Sequence, residues 1–269
     1  MQARNFLEVA GLVVLLLSSM TTPTEALLSS LKSCDNMNRS TTGTTSVNAV
    51  PKLVLLDRDG VINQDVGAPG VVRPSQLALT PGAGKAIGKL QQAGCRVVMI
   101  TNQSCVGKGL ITVDELQIIQ DKVQQLLYDE CADATIDRIY QCTSTKEQQD
   151  LRMKPQPGMI LEAMADFQVS PEDCCLVGDT STDLQAAAAA GIQQRLLVAT
   201  GYGSSLMQRE HEIFEKSNRY ISYQLVTPQQ SSNFPKIVPD AFPFTYCSNL
   251  ATAAELVLDG SLRSAEEIN

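Results

Sequence analysis

A chain of 269 residues can form one large α/β domain with a buried core, or two small domains. Its formal net charge of −8 argues against a nucleic-acid partner, which requires a basic surface to displace counterions, but leaves small anions open. Eight cysteines raise the idea of a disulfide framework, yet Cys95, Cys174 and Cys175 fall inside apolar runs, where a thiol acts as a small core hydrophobe.

In chain order, Arg4 precedes the apolar run Val9 to Leu17, and Thr24 and Ala26 follow at signal-peptidase positions, so 1–26 reads as a secretory signal peptide. The run is too short to span a membrane, and no stable span is expected once the leader is removed. Residues 27–50 are rich in Ser and Thr, with Lys32 and Arg39 against a single acid, Asp35. That composition is similar to an organellar transit peptide, and a signal followed by such a stretch suggests a bipartite address to a plastid lying inside the secretory system. The other reading is a disordered linker in a protein secreted or kept in the endomembrane lumen, with Asn38-Arg39-Ser40 as a glycosylation acceptor.

From Lys52 short apolar runs alternate with longer amphipathic ones, the pattern of a parallel sheet covered by helices. Lys52–Leu56 is the first predicted strand, Gly60–Pro81 a loop, and Ala83–Ala93 a helix closed by Gly94. Arg96–Ile100 is the second strand, and the capping pair Thr112 and Glu115 opens a helix reaching about Glu130. Ile136–Gln141 is a third strand, Pro157 starts a helix running to about Phe167, and Cys174–Val177 is a fourth strand. A helix over Asp183–Ala190 ends at Gly191, and Gln194–Val198 is a fifth strand. Residues 202–242, interrupted by Pro228, Pro235 and Pro239, read as a polar insertion or long loop. Phe244–Cys247 and Leu250–Leu258 read as a closing strand and helix, which gives one α/β domain over 51–259 and a tail over 260–269.

Open parallel sheets bind ligands beyond the carboxyl ends of their strands. Asp57-Arg58-Asp59-Gly60 leaves the first strand there, and two acids one residue apart point to the same side of an extended chain. One can attack phosphorus while the other exchanges a proton with the leaving oxygen and then with water; an isolated acidic turn would look the same. An EF-type calcium loop fails, because its glycine would fall at Ile62. Thr101-Asn102-Gln103-Ser104 offers donors to phosphate oxygens after the second strand, or is a simple polar turn. Gly178-Asp179-Thr180-Ser181-Thr182-Asp183 offers carboxylates to a hard cation after the fourth strand, and Asp183 also fits a plain helix cap. Lys154, just before a helix start, can neutralise a phosphate and an attacking carboxylate, or be one more solvated charge.

The joint order of paired acid, Thr, Lys and acid resembles the haloacid-dehalogenase superfamily over roughly Leu53 to Val198. The wordings DRDGVIN, TNQS, KPQPGM and VGDTSTDLQAAAAAG are most similar to its heptose-bisphosphate phosphatases and their histidinol-phosphatase relatives. The resemblance implies a Rossmann-like three-layer fold with a mainly parallel sheet and no large cap domain. It further implies Asp57 as nucleophile, Asp59 as general acid and base, Thr101 as phosphate donor and Lys154 as charge clamp. Asn102 and Arg152 become candidates for substrate contact, and Mg²⁺ would be held by Asp57, the Asp59 carbonyl and Asp179.

Three features depart from that pattern. Relatives carry a Cys and His cluster that binds structural zinc before the Lys motif, whereas here only Cys142 lies there, so no zinc is expected. Met153 stands between Arg152 and Lys154, where relatives place an arginine directly before the lysine. The third departure is the 202–242 segment. The expected activity is hydrolysis of a small phosphorylated metabolite, a sugar bisphosphate first, histidinol phosphate or another monoester second; a catalytically silent scaffold is the competing class. Gly82-Ala83-Gly84-Lys85-Ala86 fails as a nucleotide loop, and His211 has no evident partner. The sequence sets no oligomeric state.

Overall fold

The computed structural model describes residues 50–207, 223–260 and 262. The leader readings over 1–26 and 27–49, His211 and nearly all of the 260–269 tail lie outside the described residues. Among the described residues seven strands form one sheet: β1 (Leu53–Leu56), β2 (Arg96–Asn102), β3 (Arg138–Cys142), β4 (Cys174–Gly178), β5 (Gln194–Val198), β6 (Tyr223–Val226) and β7 (Phe244–Cys247). Their order is β3-β2-β1-β4-β5-β7-β6, and every pairing is parallel except that of β6 with β7.

β1 lies between β2 and β4, with Leu53 opposite Arg96 on one side and Cys174 on the other. All four of its residues are buried, because a strand covered on both faces must be apolar throughout. Period-two alternation divides them. Val54 and Leu56 join Val97, Met99, Cys175, Val177 and Leu196 on one face. That face is covered by α1 (Ala83–Gln92), α3 (Val113–Glu130) and α7 (Leu250–Leu258). Leu53 and Leu55 join Val98, Ile100, Tyr140 and Leu176 on the other, under α4 (Gly158–Phe167) and α5 (Ser181–Ala189). The short α2 (Ser104–Gly107) follows β2 directly. The result is the three-layer α/β fold expected, and no separate domain interrupts the chain after β1 or β2.

Local signals act as their chemistry predicts. Thr112 and Glu115 form a reciprocal cap, the Glu115 N–H donating to Thr112 Oγ1 at 3.1 Å and the Thr112 N–H to Glu115 Oε2 at 2.8 Å. Gly94 closes α1 at φ +89°, in the left-handed region. Cys95, Cys174 and Cys175 are buried thiols, and burial pushes Cys174 up to about 12.

The described part of 202–242 is more ordered than a long loop. It holds α6 (Gly203–Leu206), the antiparallel edge strand β6 and two 3₁₀ turns, Pro228–Asn233 and Pro239–Ala241. Phe234, Ile237, Ala241 and Phe242 pack with Leu197, Phe244 and Tyr246 in a third apolar cluster. Pro228 and Pro239, which break helix and strand periodicity, start these 3₁₀ turns, so the apolar residues bury without showing either period. Among the described residues no helix is long and apolar enough to cross a membrane.

Candidate active site

β1, β2 and β4 end side by side, and the residues that follow them converge. Lys154 sits at the centre with its side chain only 4 % exposed. Its Nζ lies 2.8 Å from Asp57 Oδ1 and 2.5 Å from Asp183 Oδ1, and it donates to the Ile100 carbonyl at 3.0 Å. Three acceptors match the three donors of an ammonium group, which is the condition for burying it charged. Burial alone would lower the Lys154 amine, but the Asp183 and Asp57 carboxylates outweigh it and hold the group above its ordinary value.

Asp57 Oδ1 also accepts the Arg58 N–H at 2.7 Å. Burial raises the Asp57 carboxyl to about 7 against the pull of Lys154, and the nearby Asp183 adds to the rise. Asp179 follows β4, and its Oδ2 accepts the Tyr202 N–H at 2.8 Å. Burial lifts it to about 8, with Asp57 and then Asp183 adding to the effect. Gly60 and Gly201, both at positive φ, flank that carboxylate, and a Cβ on either would collide with Asp179 Oδ2.

Asp57, Asp179 and Asp183 place a carboxylate oxygen each within 4.8 Å of one another. Asp179 Oδ1 is buried and has no hydrogen-bond partner among the described residues. Three clustered acids with one buried ammonium leave negative charge in excess, and an unpaired buried carboxylate oxygen calls for a cation. The all-oxygen donor set fits Mg²⁺.

Asp183 is more than the helix cap its spacing allowed. Its Oδ2 accepts from the Thr180 N–H at 3.0 Å and from Thr180 Oγ1 at 2.5 Å, a cap on α5, while Oδ1 faces Lys154. Gly178 makes room for it, since a Cβ there would strike the Asp183 side chain. The available signal is its place four residues, about one helical turn, beyond Asp179.

Thr101 is buried at the end of β2, and its Oγ1 accepts from Gln103 Nε2 at 2.8 Å. Asn102 spends both amide atoms on the Lys154 backbone: Nδ2 donates to the Lys154 carbonyl at 3.0 Å, and Oδ1 accepts the Lys154 N–H at 3.1 Å. Arg152 is turned to Glu162, with Nε 2.9 Å from Oε1. Between β3 and Lys154 the Asp150 carboxylate gathers Ser144 Oγ at 2.6 Å, Cys142 Sγ at 3.5 Å and the Arg152 N–H at 2.8 Å. Asp59 accepts from Arg58 and Asn63, to which the sequence assigns no role, and from Gln103, expected as a donor to phosphate and turned here to Asp59.

Comparison with known proteins places the chain in a family. Residues 64–191 match the family described as haloacid dehalogenase-like hydrolase. The chain is 39 % identical over 152 residues to D-glycero-beta-D-manno-heptose-1,7-bisphosphate 7-phosphatase of Bordetella bronchiseptica, covering 56 % of this chain and 83 % of that protein. It belongs to the haloacid dehalogenase-like hydrolases. The enzyme of the same name from Neisseria meningitidis serogroup A is 35 % identical over 188 residues, covering 66 % of this chain and 98 % of its own length. The crystal structure of D,D-heptose 1,7-bisphosphate phosphatase from B. bronchiseptica complexed with magnesium and phosphate matches with TM-score 0.59 and 31 % identity, over 77 % of this chain and 98 % of that one. This haloacid dehalogenase-like hydrolase is a phosphatase, and the sequence expectation of family, fold and enzyme class is met.

Proposed function

We propose that the phosphatase acts on a sugar bisphosphate of the D-glycero-D-manno-heptose 1,7-bisphosphate kind, through a phosphoaspartate on Asp57 and with Mg²⁺ as cofactor. The observation that carries the chemistry is the buried set Asp57, Lys154, Asp179 and Asp183 at the end of three neighbouring strands. The relatives named for the heptose bisphosphate carry the substrate assignment.

An Asp57 oxygen attacks phosphorus, the bond to the sugar oxygen breaks, and Asp59 gives that oxygen its proton. A water oxygen then attacks the same phosphorus, Asp59 takes back a proton, and the bond to Asp57 breaks with release of inorganic phosphate. Lys154 offsets the repulsion between the Asp57 carboxylate and the incoming phosphate, and Thr101 offers a hydroxyl to a phosphate oxygen. Asn102 holds the Lys154 backbone in place. Mg²⁺ would be held by Asp57, the Asp59 carbonyl and Asp179, with Asp183 beside them. When bound it supplies positive charge to the transferring phosphoryl group.

The full chain, assayed with Mg²⁺, should release phosphate from heptose 1,7-bisphosphate at a kcat/KM at least about tenfold above fructose 1,6-bisphosphate or histidinol phosphate, a preference of about 1.4 kcal/mol. Preference for histidinol phosphate would transfer the reading to a monoester enzyme. No release from any of the three would sink the substrate assignment.

Cation binding should depend on pH. Asp57 and Asp179 titrate near 7 and 8 in the folded protein against a usual 3.8, so the folded state binds more protons than the unfolded one across that interval. Stability without metal therefore falls as pH rises from about 4 to about 8, and bound Mg²⁺ offsets the loss. Each proton displaced weakens metal binding about tenfold per pH unit below the pKa. The rise in Tm on adding Mg²⁺ should be clearly larger at pH 8.5 than at pH 6, both taken at about the same salt; equal rises at both would refute a site built on these acids.

A further inference from the structure

Arg58 is buried with none of its side chain exposed, and its Nε and Nη1 have no hydrogen-bond partner among the described residues. Its Nη2 donates to both oxygens of Asp59, at 3.1 Å and 2.8 Å, and Asp59 is the acid it pairs with. A fully buried guanidinium that leaves donors unmet is poorly suited to stability alone, since an apolar side chain of similar size would fill the space at lower cost. Its contacts point to Asp59 instead.

Two further buried side chains do the same from different directions. Asn63 Nδ2 donates to Asp59 Oδ1 at 2.9 Å. Asn63 is fixed in turn by its N–H bond to the Arg58 carbonyl at 3.0 Å and by the Gly60 N–H on its own carbonyl at 2.7 Å. Gln103 reaches over from beyond β2, and its Nε2 donates to Asp59 Oδ2 at 3.1 Å and to Thr101 Oγ1 at 2.8 Å. Gln103 is locked by its own N–H on the Cys142 carbonyl at 2.7 Å and by Cys105 Sγ, 3.7 Å from its Oε1. Asp59 keeps 22 % of its side chain exposed, the part left to meet a substrate.

We propose that Arg58, Asn63 and Gln103 are positioning residues that hold the Asp59 carboxyl group at the angle needed to protonate the leaving oxygen, with Gln103 coupling that angle to Thr101. The inference rests on the phosphatase reading above, in which Asp59 is the proton donor. A carboxylate two residues from Asp57 would otherwise be free to turn toward the cation site. Donors from three separate side chains prevent that, and they fix two oxygens and therefore the plane of the group. Orientation of this kind matters because misplacing a catalytic group by about 1 Å costs on the order of 10²-fold in rate.

Leaving-group dependence tests the proposal on the full chain. A sugar alkoxide needs a proton as it departs, whereas p-nitrophenolate does not. The ratio kcat/KM covers phosphoryl transfer and not the later hydrolysis, so it isolates that proton. Gln103→Met, close in volume, is expected to lower kcat/KM about 10-fold to 100-fold on the sugar bisphosphate and by less than about 3-fold on p-nitrophenyl phosphate. Arg58→Lys, which keeps the buried charge but loses the two-oxygen contact, should show the same selective loss with an intact circular-dichroism spectrum. Asp59→Asn is the reference. If it discriminates between the substrates and both variants lose activity on them equally, or not at all, the positioning role is overturned while the phosphatase reading stands. If Asp59→Asn itself does not discriminate, Asp59 is not the acid, and the inference falls with that assignment.

Discussion

Asp57→Asn should abolish phosphate release, by on the order of 10⁴-fold or more, while leaving the fold intact. The amide is nearly the same size, so the packing at the end of β1 is preserved, but it cannot form the acyl phosphate. The charge balance predicts the effect on stability as well. Asp57 is one of three clustered acids beside a single ammonium, and burial already raises it to about 7. Replacing it with a neutral group removes a buried charge that folding disfavours, so Tm without metal should stay the same or rise. Brief incubation of the wild-type enzyme with substrate, followed by acid quenching and mass analysis, should find one added phosphoryl group on the peptide carrying Asp57. Activity of the Asp57→Asn variant near the wild-type level, or a phosphoryl group on another residue, would rule out Asp57 as nucleophile.

Much of this site can be read in the sequence because parallel-sheet geometry converts chain order into spatial order. β1, β2 and β4 are short apolar runs each followed at once by polar residues, so Asp57, Thr101 and Asp179 had to emerge along one edge. β5, β7 and α7 fall where periodicity puts them, since each is bounded by turn residues. Other parts rest on contacts between distant segments, which leave no local pattern. Nothing in Asn102 signals that it would bind the Lys154 backbone 52 positions away. Gln103, 44 positions from Asp59, is equally silent. Arg58 reads as a surface charge by type and is instead fully buried, paired among the described residues with its own neighbour in the chain, Asp59. β6 is hidden for another reason: an edge strand of four residues, Tyr223–Val226, is too short for alternation to rise above a proline-rich background.

Lys154→Met should damage the enzyme in two ways that can be measured apart. Catalysis should fall by on the order of 10³-fold or more, because the buried charge that offsets repulsion between Asp57 and the phosphate is gone. Stability should fall as well, unlike the outcome for Asp57. The ammonium satisfies Asp57, Asp183 and the Ile100 carbonyl together, and its loss leaves two buried carboxylates facing each other beside Asp179. Breaking a buried ion pair by removing one partner costs about 3–5 kcal/mol. The loss should depend on pH with a definite sign. Lys154 opposes the upward push of burial on Asp57, so without it that carboxyl is harder still to ionise. The folded variant then holds its proton to higher pH and is destabilised most in the alkaline range. Thermal melts of the metal-free proteins should therefore show the smallest difference from wild type near about pH 5 and the largest near about pH 9. Added Mg²⁺ should restore part of the stability at the alkaline end, by supplying a cation to the same acids, but little of the activity. A variant as stable as wild type across that range would mean that Lys154 does not carry the charge balance of the site.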